Sequence, residues 1–249
     1  MGDHAYIGEL LAGIFYLIAG ARLLRLALRT AEVPERLLGV MFLFTGASFL
    51  AYQLPVLMES EALWTPLNFA GRVLYLPAPF ILAIFTRRVF RRESLWASWL
   101  VCGCAALLVA GVTGSVLRGD WEGFSIDNAW FWLEWAGYTA PFGWAGAESF
   151  IQCGQARRRV RLGLCDPLIC NRFLLWGLFG AAQLFTFLGT LGQYAAYQQE
   201  NVFTVGWDLL LGACEILSVA LIWFVFFPPV LYRNWIASAV PRVASAGES

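Results

Sequence analysis

Apolar stretches of about twenty residues recur along the chain and are separated by short polar segments. A helix of that length crosses the roughly 30 Å hydrocarbon core of a bilayer. In lipid, a helix also satisfies its own backbone hydrogen bonds, which an irregular segment cannot do. Seven such stretches are read, at 6–28, 37–57, 67–85, 95–117, 129–151, 173–194 and 203–231. The expected fold is therefore all-α: an integral membrane bundle of seven transmembrane helices over residues 1–232, with a short cytoplasmic tail at 233–249. The opening segment carries Asp3 and Glu9 and no arginine, the wrong charge for a signal-peptide start, so the first stretch reads as an uncleaved helix. Pro77, Pro79 and Pro141 lie within stretches, and Pro228-Pro229 closes the last one. No internal repeat is evident. The tail, rich in Ser, Ala and Gly, reads as a disordered end.

Charge placement gives the bundle a direction. All 17 cationic side chains are arginine, a bias that a GC-rich genome produces. Four lie at the end of the first stretch or just after it (Arg22, Arg25, Arg29, Arg36), and four follow the third (Arg87, Arg88, Arg91, Arg92). After the fifth come Arg157, Arg158, Arg159, Arg161 and Arg172, and the tail adds Arg233 and Arg242. The alternate loops hold Arg118 with Asp3, Glu59, Glu61, Asp120, Glu122, Asp127 and Glu200. Short cytoplasmic loops collect arginine and lysine, so the N-terminus is expected outside and the C-terminus in the cytoplasm. The expected location is a bacterial cytoplasmic (inner) membrane. Trp64, Trp130, Trp132, Trp135 and Trp207 fall at the outer interface, and Trp96, Trp99, Trp176 and Trp235 at the inner one.

Composition agrees with this reading. Of 249 residues 59% are hydrophobic and 14% charged, about half the charge of a soluble domain. Net charge is zero, which excludes a global basic field for nucleic acid. Six cysteines are expected in helices or on the cytoplasmic side, as buried thiols without an extracellular disulfide; Cys102-x-Cys104 lacks the CxxC spacing of redox and zinc motifs. Glycines recur inside the stretches, where they let helix backbones approach; Gly177 to Gly180 and Gly143 to Ala147 read as packing faces.

Charged groups at membrane depth are expensive and therefore informative. Arg72, Glu134, Glu148, Asp208 and Glu215 lie within the stretches, with Gln53, Asn68, Gln183, Gln193, Tyr52, Tyr75, Tyr138 and Tyr194 as polar companions. Asn68 and Arg72 are four residues apart, and Asp208 and Glu215 seven, so each pair shares a helix face. A rise of 1.5 Å per residue puts Arg72, Glu134 and Asp208 about 5–10 Å below the outer boundary and Glu215 near mid-membrane. Gln53 and Gln193 approach the same layer. The simplest arrangement is one polar cavity open to the outside, in which Arg72 pairs with Asp208 or Glu134. Its expected ligand-binding residues are Arg72, Glu134, Asp208, Glu215, Asn68, Gln53, Gln193 and Tyr75. A structural ion pair between helices is the competing reading. Glu148 is expected to meet Gln152 and the Arg157–Arg161 cluster. Arg157, Arg158, Arg159 and Arg161 suit anionic lipid headgroups, at about 1 kcal/mol each, or a cytoplasmic protein partner. Asp166-Pro167 reads as a helix start.

Much chemistry is excluded. The seven-helix layout resembles microbial rhodopsins and G-protein-coupled receptors in architecture, but no lysine is present to form a retinal Schiff base. The one histidine, His4, cannot supply the zinc site of seven-helix hydrolases, a bis-histidine haem or a Ser/His/Asp constellation. No enzyme activity, cofactor or metal is therefore expected, and no nucleic acid partner. The first expectation is a receptor-like or sensory bundle that binds a small ligand from the extracytoplasmic side. The alternatives are a non-catalytic accessory subunit of a larger membrane complex and a small proton-coupled transporter using Glu215. An oligomer is left open.

Overall fold

A computed structural model describes residues 3–119, 126–198 and 204–238, with the side chains of 3–7, 193–198, 204, 205, 208 and 237 outside that description. Among the described residues all regular structure is helical. The helices are α1 (Asp3–Thr30), α2 (Val33–Leu57), α3 (Glu61–Tyr75), α4 (Pro77–Phe90), α5 (Leu95–Arg118), α6 (Ala129–Arg161), α7 (Pro167–Gln198), α8 (Thr204–Phe226) and α9 (Val230–Ser238). By length and composition six segments can cross a membrane: Gly8–Thr30, Val33–Leu57, Glu61–Phe90, Leu95–Arg118, Pro167–Gly192 and Leu209–Phe226. They mark the chain as an integral membrane protein. The expected fifth stretch became α6, which is 33 residues long but is not among the six: Glu134, Glu148, Gln152 and Gln155 lie along it, and the segment between the two glutamates is rich in Trp, Tyr, Gly, Thr and Pro, which are weakly hydropathic.

The ends of the helices follow local chemistry. At the start of α6 the Asn128 side chain accepts a hydrogen bond from the Trp130 amide at 3.0 Å. The expected start at Asp166-Pro167 is present: Asp166 Oδ1 accepts from the Leu168 amide at 2.9 Å. Gly119, at φ 76°, ends α5, and Gly163, at φ 69°, follows α6; both sit in the left-handed conformation that glycine adopts without a Cβ clash.

Two expected stretches are divided. The third begins at Glu61, six residues earlier than read, and breaks at Leu76 into α3 and α4. Pro77 cannot donate a backbone hydrogen bond, and it serves instead as the first residue of α4. The last stretch ends at Phe226, because Pro228-Pro229 cannot continue a helix, and α9 restarts beyond it. Helix α9 includes Arg233–Ser238 of the segment read as a disordered tail; residues 239–249 lie outside the described residues.

The helices close into a ring. Helix α1 packs on α2 and α8, α2 on α3 and α4, α4 on α6, α6 on α7, and α7 on α8. Helix α5 lies outside this ring against α4 and α6. Small residues bring the backbones together. A Cβ on Gly46 would lie 2.7 Å from the Gly13 carbonyl oxygen, and one on Gly180 would lie 2.7 Å from Gly146 Cα. Inside the ring, toward its arginine-rich end, Tyr16, Leu23, Met41, Phe42, Leu82, Phe85, Phe142, Trp176, Phe179 and Ile222 form an apolar core. Trp176 is thus a core residue and not an interfacial one: its ring packs on Phe85 at 5.6 Å and on Phe179 at 5.2 Å between centroids.

Candidate functional site

Polar side chains occupy the interior beyond the apolar core. Arg72, in the last turn of α3, is 7% exposed, and Glu134, in the second turn of α6, is 1% exposed. Arg72 Nε donates to Glu134 Oε1 at 2.8 Å, and its second guanidinium nitrogen, Nη2, binds Glu134 Oε2. This two-pronged geometry suits a guanidinium fork facing a carboxylate. Tyr138, one turn along α6, donates its hydroxyl to Glu134 Oε1 at 2.9 Å. The Tyr138 ring stands 5.3 Å from that of Tyr75. Tyr52 of α2 lies beside Gly71, whose Cβ would meet the Tyr52 ring at 3.0 Å. Ser48 of α2 donates to the Gly71 carbonyl at 2.8 Å and so ties α3 to α2 just before Arg72.

Close packing fixes Glu134 from behind. Gly111 of α5 faces it so closely that a Cβ there would lie 2.5 Å from the Glu134 amide nitrogen. Gly114 gives Trp130 the same freedom of approach.

A second set of polar side chains lies on α1, α2, α7 and α8, in two hydrogen-bonded groups. The side chains of Gln53 (α2) and Glu9 (α1) are hydrogen-bonded through Gln53 Nε2. Glu215 (α8) is 7% exposed. Gln183 (α7) reaches Glu215 at 3.4 Å and donates to Ser218 Oγ at 3.0 Å.

The expected site residues divide accordingly. Glu134, one of the two partners considered for Arg72, is in contact with it. Tyr75 stands beside this pair, while Gln53 and Glu215 belong to the second set. Asn68 donates to the Trp64 carbonyl of its own helix at 2.8 Å, so its amide is engaged locally. Gln193 lies in α7 and Asp208 in α8, with side chains outside the described residues. A cleft of about 350 Å³ lies away from these groups, at the turn between α2 and α3, lined by Pro55, Glu59, Ser60, Glu61, Trp64 and Thr65.

Glu148 does not meet the Arg157–Arg161 cluster. Arg157 lies nine residues further along α6, which is about 13 Å of helix axis. Arg91 Nε, just past α4, donates instead to Glu148 Oε1 at 2.7 Å, and Trp144 Nε1 approaches the same oxygen at 3.3 Å. The hydrogen bond and charge of Glu148 push the Arg91 guanidinium pKa upward. Arg157, Arg158, Arg159 and Arg161 are all exposed, beside the equally exposed Leu162 and Leu164. That surface offers both charge and apolar contact at the arginine-rich end.

Glu9 is the participant that sequence reading missed. In the sequence it counts only as an acid that argues against a signal-peptide start, at the head of the first stretch. Its position inside that stretch, seven residues and thus two turns before the buried Tyr16, was the available signal.

Fold and site together define a helical integral membrane protein with a buried arginine–carboxylate pair. No protein-family model, curated protein or solved structure matches the chain.

Proposed function

We propose that the chain is a receptor-like bundle of seven membrane crossings whose Arg72–Glu134 pair is the element a small ligand displaces. Helix α6 provides the seventh crossing. Its 33 residues are long enough, and its two buried carboxylates, Glu134 and Glu148, are each paired with an arginine from a neighbouring segment. In this reading the N-terminus is outside, the C-terminus is cytoplasmic, and the membrane is the bacterial inner membrane. The support is the placement of fifteen of seventeen arginines in alternate loops and the tail.

The observation that carries the proposal is the position of the pair. Arg72 sits one turn before the break between α3 and α4, so a change of its partner acts directly at a point where the helix can pivot. A small carboxylate offers the guanidinium the same two oxygens as Glu134. Its binding would free Glu134 and Tyr138 on α6 and bias the α3–α6 contact, a two-state element of the kind a switch requires. The exposed Arg157, Arg158, Arg159 and Arg161 at the far end of α6 would carry the change to anionic headgroups or a protein partner.

The test is a melting assay on the purified chain across a panel of small carboxylates. At a concentration 100 times its Kd, a true ligand stabilises the wild type by about 2.7 kcal/mol. The Arg72→Met/Glu134→Leu double variant, which keeps an apolar contact in place of the pair, should melt cooperatively without any ligand shift. A panel that shifts nothing, or a shift that persists without Arg72, contradicts the proposal.

A further inference from the structure

Glu9 and Glu215 approach one another in the interior, far along the chain from the Arg72 pair. Their helices touch at this point: a Cβ on Gly8 would lie 3.4 Å from Gly212 Cα. Glu9 is the next residue after Gly8, and Glu215 lies one turn beyond Gly212. The two carboxylates interact electrostatically, and Glu215 also acts on Tyr16 and Tyr75. Among the described residues Glu215 has no basic partner; its hydrogen-bond donor is the neutral amide of Gln183, at 3.4 Å. Arg72, the arginine at this depth, is held by Glu134.

A buried negative charge needs compensation, because desolvation in a membrane interior costs several kcal/mol per ion. Gln53 shows where the compensation sits. It is 4% exposed, and its amide nitrogen is bonded to Glu9. The other atom of that amide, Oε1, is buried without a hydrogen-bond partner. An acceptor oxygen in this state is unfavourable unless something positive or protic faces it. The described groups gathered here present oxygen: two carboxylates and an amide carbonyl, with the Ser218 hydroxyl beside Gln183. Oxygen donors suit hard cations. Calcium would ask for six to eight such oxygens, more than the described side chains present, which favours an ion of single charge.

We propose that Glu9, Gln53 and Glu215, drawn from α1, α2 and α8, bind a small monovalent cation inside the bundle. The ion bridges the two carboxylates, gives Gln53 Oε1 its missing partner and ties α1 to α8, the contact that closes the ring. The inference goes beyond the ligand reading and stands on other helices.

Sodium is the probe. The full-length chain in nanodiscs is melted in sodium chloride against N-methyl-D-glucamine chloride at equal ionic strength, and radioactive sodium binding is measured at equilibrium. The expected result is a saturable rise in melting midpoint with sodium and one bound ion per chain. Glu215→Gln should weaken binding about tenfold or more. Glu9→Gln, at a partly buried site, should do the same while melting cooperatively without sodium. The Arg72→Met/Glu134→Leu chain should keep its sodium response, so failure of the ligand proposal leaves this one intact. Four results overturn the inference: a midpoint indifferent to sodium, a sodium effect unchanged in both glutamate variants, a midpoint that follows pH but not sodium, or stabilisation by calcium alone.

Discussion

Glu134→Leu is expected to destabilise the bundle by about 3–5 kcal/mol, and Arg72→Met added to it to recover most of that loss. The single change takes the paired carboxylate from a guanidinium that is 7% exposed and removes the acceptor of two arginine hydrogen bonds and of the Tyr138 hydroxyl. An unpaired buried ion keeps its full desolvation penalty. Arg72→Met alone is expected to be comparably severe, because it leaves a carboxylate that is 1% exposed with only Tyr138 as a described donor. Removing both charges removes both penalties, and the methionine and leucine fill similar volumes. Reversible denaturation of the four chains gives the coupling energy directly. Additive losses, with the double variant as weak as the two singles summed, would show that the pair is not a unit.

The second large effect is expected at Gly111. A valine there would push its Cβ to within 2.5 Å of the Glu134 amide and 2.8 Å of its Cα, both backbone atoms that no rotamer change can move. Helix α5 must then part from α6, and Glu134 must turn away from Arg72. Overpacking alone costs about 1–3 kcal/mol, and weakening the ion pair adds to it. Gly103 is the control on the same helix, because open space surrounds the position of its Cβ. Gly103→Ala should be neutral or stabilising by up to about 1 kcal/mol, as expected when glycine leaves a helix interior. The same denaturation assay separates them. Equal effects at 111 and 103 would mean that the glycine reports helix propensity rather than contact with α6.

The helices were legible because hydrocarbon-length apolar runs leave the backbone no other solution. A fixed rise per residue puts Arg72 and Glu134 in one layer, and the two side chains meet. The partner of Arg72 was not legible, because periodicity fixes a face of a helix and does not say which neighbour that face meets. Glu148 shows the same limit. Nearness in sequence favoured Arg157 to Arg161, yet helical rise carries those side chains away, and the turn after α4 delivers Arg91. Glu9 escaped notice because a carboxylate near a chain start reads as a solvated end until a second helix brings Gln53 to it. The break at Leu76 was written in Pro77, but a proline inside an apolar run fits a kink as well as a new first turn. Helix α6 is the converse case: its length suits a span, while its buried glutamates and its many Trp, Tyr, Gly and Thr residues leave it outside the six segments that composition alone selects.

Whether α6 crosses decides the parity of the whole chain, and with it the sidedness of the site. Reporters that are active on only one side of the membrane, fused in turn to the N-terminus and the C-terminus, measure this directly. An odd number of crossings predicts the two ends on opposite sides, with the C-terminal fusion in the cytoplasm beside the exposed Arg157, Arg158, Arg159 and Arg161. Both fusions reporting from one side would mean an even number, and the Arg72–Glu134 pair would then lie in a bundle wired differently from the one described.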